Sequence, residues 1–187
     1  MNPPLTTPHT HRPLYRVVRR DAADPLDPSP ARRKGADCRW NTPDFAALYC
    51  CCSEWVARAV TLERFRRTGV DLGDLETGAR PQLVEIEWSG EVVDVVSREG
   101  VAAAGFNPRY PEGVRKVDTR RAAQEWYATG QAGVVCRSAA LLRRGFSNFA
   151  GEHHHWGELA IFLDNSQERP KLLRRREDLT WLTDNQP

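Results

Sequence analysis

The sequence has no apolar run near the roughly 20 residues that a bilayer span needs, so no membrane helix is expected. Net charge is also scarce, at a formal +2 at pH 7 across 187 residues, and gives little general pull toward nucleic acid. Basic residues do cluster, at Arg32-Arg33-Lys34, Arg143-Arg144 and Arg174-Arg175-Arg176. Such runs read as solvated faces, so no direct nucleic-acid partner is expected. Residues 1–13 are rich in Pro, Thr and His and carry no apolar signal-peptide segment. They read as a mobile tail, and the cytoplasm is the expected location. Five cysteines, an odd number in this setting, argue against a disulfide framework and for thiols.

What is present is an ordinary globular composition, 40% hydrophobic and 28% charged, which suits one domain of this length. Residues 14–19 read as a strand, with Leu14, Arg16 and Val18 on one face and Tyr15, Val17 and Arg19 on the other. Residues 21–35 hold three prolines and read as a loop. A buried strand is expected over 46–52. Ser53 then caps a helix that ends by Gly69. Residues 70–80 read as a loop, and 83–88 and 91–96 as a hairpin turning at Ser89-Gly90. A short helix is expected at 98–104, stopped by Gly105, and a longer one from an N-cap at Thr119 to about Gly130. Short strands follow at 134–136, 159–163 and 171–173. This order lacks regular βαβ alternation, so the expected class is α+β with a mixed or antiparallel sheet and few helices.

Five segments in this order resemble the RES family, named for its Arg, Glu and Ser positions. They are Leu14-Tyr15-Arg16-Val17, Arg39-Trp40-Asn41, Ala47-Leu48-Tyr49 with its following helix, Gly133-Val134-Val135-Cys136-Arg137-Ser138, and Glu158-Leu159-Ala160-Ile161-Phe162. Residues 81–96 are similar to the family's central hairpin, and the resemblance runs from Leu14 to about Asn165. It implies a single compact ADP-ribosyltransferase-like domain over 14–187. Characterised members are toxins of bacterial toxin–antitoxin pairs that destroy NAD by hydrolysis or phosphorolysis. Expected by resemblance, therefore, is a toxin-like enzyme cleaving the nicotinamide–ribose bond. NAD would be substrate, with no tightly bound cofactor, and an Xre-like antitoxin is the implied partner.

Each candidate residue has a plainer alternative. Arg16 is a surface arginine on an edge strand or, as the resemblance implies, a phosphate clamp, since a guanidinium offers two parallel donors. Arg39 beside Trp40 is a cation–π pair or, by resemblance, part of the NAD site. Tyr49 is a buried tyrosine or a platform for the cationic nicotinamide ring. Ser138 caps a following helix or holds NAD by a hydrogen bond.

The family glutamate falls at Val60, about three helical turns after Tyr49, and valine does no carboxylate chemistry. Glu63 lies one turn further along and about 60° around, so it is the substitute on that face, unless it is a surface glutamate paired with Arg66 or Arg67. Glu54 lies about 120° away. In the enzyme reading Glu63 supplies the carboxylate with Arg39 and Ser138. The alternatives are a degenerate domain that binds NAD or a protein without turnover, and ADP-ribosyl transfer to a macromolecule. Cys50-Cys51-Cys52 alternate faces on a strand and read as packing. His153-His154-His155 read as a polar loop ahead of Trp156, and no metal site is expected.

Overall fold

The structure is a computed structural model that describes residues 3–9, 13–33, 38–143 and 154–183. The chain runs through β1 (Thr6–His9), β2 (Leu14–Arg19), α1 (Ser29–Arg33), β3 (Ala47–Cys51) and α2 (Glu54–Thr68). It continues through β4 (Pro81–Glu87), β5 (Gly90–Val95), α3 (Arg98–Ala103), α4 (Lys116–Ala128) and β6 (Gly133–Arg137). Last come α5 (Ala139–Arg143), β7 (Gly157–Phe162), β8 (Lys171–Arg176) and α6 (Thr180–Thr183). The strands form one sheet in the order β1-β5-β6-β7-β3-β2-β4-β8. Among the described strands only β5 and β6 are parallel neighbours, so the sheet is mixed and the α+β expectation holds.

Local signals account for several elements. Ser53 accepts from the Val56 amide at 3.3 Å to cap α2, and Gly69 ends it in the left-handed region at φ 65°. Strand β2 alternates as expected: Leu14 and Val18 join one apolar cluster, Tyr15 and Val17 another.

Four expectations are corrected. Thr6–His9 is no mobile tail but an edge strand on β5, and the Leu5 carbonyl accepts from Asp94 N at 2.8 Å. Inside the loop expected at 21–35, Asp27 accepts from the Ser29 amide and hydroxyl at 2.8 and 2.7 Å and starts α1. Pro30 tolerates that first turn because its missing N–H would be unsatisfied there. Helix α4 begins at Lys116, and Thr119 lies inside its first turn, with its hydroxyl donating to the Lys116 carbonyl at 3.0 Å.

The fourth correction concerns the hairpin: β4 and β5 do not pair, although only Trp88 and Ser89 separate them. In a flat sheet their five strand spacings would span roughly 24 Å. Three Cα steps reach at most about 11 Å, so the sheet must curl until its two halves meet. The inner face of that curl is a cluster of Leu14, Leu48, Cys50, Cys52, Val84, Ile86, Val92, Leu159 and Ile161 around Trp88. Trp88 is 1% exposed, and a Cβ on Gly90 would sit 2.6 Å from its ring, so ring and glycine together make the crossing.

The outer face carries two further clusters. Helices α3 and α4 cover Val93, Val95, Val134, Cys136, Ala160 and Phe162 with Trp40, Tyr110 and Trp126. Helices α2, α5 and α6 cover Leu83 and Cys51 with Val56, Ala59, Leu141 and Trp181. The expected packing role of the consecutive cysteines holds, since Cys50 and Cys52 face inward and Cys51 outward.

Candidate functional site

Strands β3, β7 and β6 lie side by side, and their register sets Glu158 opposite both Cys51 and Cys136. Period two puts Glu158 on the outer face with Ala160 and Phe162, and Tyr49 on the same face of β3, paired with Ala160. A partly buried carboxylate therefore emerges where the two outer clusters adjoin. Burial pushes its pKa up, while the Ser138 hydroxyl and the Arg39 guanidinium act the other way. For Arg39 burial is again the largest influence and opposes the charge, yet Tyr110, Cys136 and Glu158 leave its pKa raised.

Two hydroxyls stand out here. Ser138, 0% exposed, follows β6 directly, and Tyr110 is 1% exposed. At neither Ser138 Oγ nor Tyr110 OH does a hydrogen bond of ordinary geometry close. Buried polar groups are nearly always satisfied, and an orphan costs on the order of 1–3 kcal/mol. Ser138 does not use its hydroxyl to cap α5. The neighbouring Cys136 thiol accepts from Trp40 Nε1 at 3.2 Å, and burial pushes its pKa up to about 12.

Tyr49 ties two of the sequence segments together. Its hydroxyl donates to Asn41 Oδ1 at 2.7 Å and accepts from the Trp40 amide at 2.9 Å. The Arg39-Trp40-Asn41 segment is thereby fixed over the outer face, with Trp40 stacked on Trp126 at 5.7 Å. Arg16 approaches from elsewhere. Alternation places it on the inner face with Leu14 and Val18, and it donates to the carbonyls of Tyr49 at 2.9 Å and Asp27 at 3.1 Å. Its Nε is buried without a partner.

Glu63 stands apart from this group. The core-facing side of α2 carries it with Val56 and Ala59, and it is 7% exposed. Its carboxylate takes Nε and Nη2 of Arg66 at 2.9 and 3.0 Å, and Nη1 of Arg143 at 2.8 Å. Those hydrogen bonds lower its pKa to about 2. Val60 is partly buried in the same cluster, and Glu54 pairs with Arg176 at 2.7 Å.

The structure thus gathers Arg39, Tyr49 and Ser138 near Glu158, joins Arg16 through the Tyr49 main chain, and leaves Glu63 on other partners. Sequence reasoning missed Glu158 and Tyr110 as site residues. Glu158 had a usable signal: it is the charged residue in an alternating strand, on the face of Ala160 and Phe162. A cavity of about 670 Å³ between α3 and α4, lined by Phe106, Asp118, Arg121 and Glu125, includes none of these residues. It backs onto them through Phe106, whose ring stacks on Tyr110 at 5.3 Å.

Of the histidine run, His153 lies outside the described residues, as do Lys34 and Arg144 of the basic runs. His154 Nε2 reaches Asp94 Oδ1 at 3.5 Å, and His155 packs on Trp156 at 4.5 Å. Among the described residues no group of His, Cys, Asp and Glu is placed to hold a metal ion, and no helix is long and apolar enough to cross a membrane.

The family model described as RES domain matches residues 13–169. In structure the chain is similar to a chain of the M. tuberculosis MbcT–MbcA toxin–antitoxin complex, with a TM-score of 0.66. The likeness covers 88% of this chain and 82% of that one at 19% sequence identity, and is therefore one of fold. No curated protein sequence matches the chain.

Proposed function

Because the chain belongs to the RES family, we propose that it is a toxin-like enzyme that consumes NAD by cleaving the nicotinamide–ribose bond. NAD enters as substrate, with water or phosphate as acceptor, and no resident cofactor is needed. The observation that carries the reading is the fully buried Ser138 hydroxyl, which with Arg39 acts on the Glu158 carboxylate on the face that also bears Tyr49. In this reading Arg39 binds the pyrophosphate, Tyr49 stacks on the cationic nicotinamide, and Ser138 holds the nicotinamide amide. Arg16 acts from behind by fixing the Tyr49 main chain. A protein antitoxin of the Xre-like kind belongs to the same proposal, supported by the fold shared with a chain of a toxin–antitoxin complex.

Incubating the purified protein with NAD, in buffer with and without phosphate, and following nicotinamide release tests the reading. Steady turnover supports it, and intact NAD after prolonged incubation overturns it. Val60, at the position of the family glutamate, favours a second reading in which NAD binds without turnover. That outcome would show as saturable NAD binding by calorimetry with no nicotinamide released.

A further inference from the structure

Resting on the NAD-cleaving reading, we propose that Glu158 of β7 is the carboxylate that faces the nicotinamide ribose, and that Glu63 is a structural strut between α2 and α5.

Placement comes first. Glu158 projects from the middle of the sheet, between Cys51 and Cys136, on the face that carries Tyr49. Its neighbours are the buried hydroxyls of Ser138 and Tyr110 and the Arg39 guanidinium. Glu158 as a residue is partly buried, at the edge where the two outer clusters adjoin. Glu63 fails on each count: its carboxylate already holds three guanidinium hydrogen bonds, from Arg66 and Arg143. A carboxylate neutralised in that way adds little field at a developing cation.

The chemistry then balances. The C1′–N bond of NAD breaks with its electron pair leaving on nicotinamide, which departs neutral, while positive charge builds on the ribose. An ionised Glu158 aimed at C1′ stabilises that charge more in the transition state than in the ground state. Water attacks C1′, its proton passes to Glu158, and the proton then leaves to solvent. With phosphate as acceptor, a phosphate oxygen forms the new bond to C1′ and no proton transfer to Glu158 is required.

The ionised form is the active one, so the rate should fall as pH drops through the Glu158 pKa, which burial holds above the ordinary carboxylate value. The groups facing it are Arg39 ahead of β3, Cys51 of β3, Cys136 of β6, Ser138 beyond it, and Tyr110 between α3 and α4, with Cys52 just after β3 close by on the inner side. The thiols and Tyr110 have raised pKa values and stay neutral in that range, and Arg39 stays charged.

The test compares wild type, Glu158→Gln, Glu158→Asp and Glu63→Gln for nicotinamide release, NAD affinity by calorimetry and thermal melting. Expected are a kcat loss of about 10²–10⁴-fold in Glu158→Gln, with NAD affinity within a few-fold of wild type and no acid limb in the residual rate. Glu158→Asp keeps the charge one methylene back and should retain the acid limb at reduced kcat, which decides the matter if the Gln variant does not fold. Glu63→Gln should lower the melting temperature and change kcat by less than tenfold. A folded Glu158→Gln with near wild-type kcat, or a folded Glu63→Gln without turnover, overturns the inference while the NAD-cleaving reading stands. A wild type that releases no nicotinamide overturns both.

Discussion

The Arg16 guanidinium donates to the main-chain carbonyl of Tyr49 at 2.9 Å, across the junction of β2 and β3. That junction has a single ladder pair, Tyr15 opposite Cys51, where the neighbouring ladders carry five or six. A side chain therefore does here what backbone pairing does elsewhere in the sheet. Arg16→Met should cost about 2 kcal/mol in urea unfolding, the loss of a charge-assisted hydrogen bond to a carbonyl left wanting. It should weaken NAD binding only as far as Tyr49 shifts.

Tyr49→Phe separates the ring from its hydroxyl. The ring keeps its place on β3, but the Trp40 amide and the Asn41 side chain lose their partner. The expected cost is about 1–3 kcal/mol of stability for the buried amide left unpaired. Nicotinamide stacking should survive, so kcat should fall less than in Tyr49→Ala; equal losses in the two variants would assign the function to the hydroxyl.

Glu63 makes a pH prediction with a definite sign. Its folded pKa is lowered from 4.5 to about 2, first by the Arg66 hydrogen bond and then by that of Arg143. Its contribution is therefore complete above pH 4.5 and lost as pH falls toward 2, where the unfolded chain binds the proton first. Melting curves between pH 6 and pH 3 should show wild type losing more stability than Glu63→Gln. Glu158 runs the other way: its raised pKa makes its charge costlier to keep in the fold as pH rises from 4.5.

All five cysteines are thiols. Burial raises Cys50 to about 12 and Cys136 to about 12, and raises Cys51 and Cys52 as well. Little thiolate forms at pH 8, so the native protein should take up one equivalent of iodoacetamide quickly, at the partly exposed Cys38, and five after denaturation. Rapid uptake of more than one would mean that the sheet opens easily around β3 or β6.

Much of the fold is legible because its signals are local. Ser53 and Gly69 mark the ends of α2 through one hydroxyl and one left-handed residue, and alternation sorts Leu14 and Val18 from Tyr15 and Val17. The hairpin at Ser89-Gly90 misled for the same reason. A two-residue link signals a turn, and only the packing of Trp88 against Gly90 shows that the chain crosses between two ends of a curled sheet.

The sequence by itself determined the family resemblance, the α+β class, the α2 caps and three nearby candidates, Arg39, Tyr49 and Ser138. Tertiary structure decided which carboxylate accompanies them. Counting along a helix nominates Glu63, but helical spacing fixes only which way a side chain points. Arg143 comes to Glu63 from 80 residues away. Glu158 reaches the site because β3 and β6 both pair with β7, and strand register is set by contacts distant in sequence.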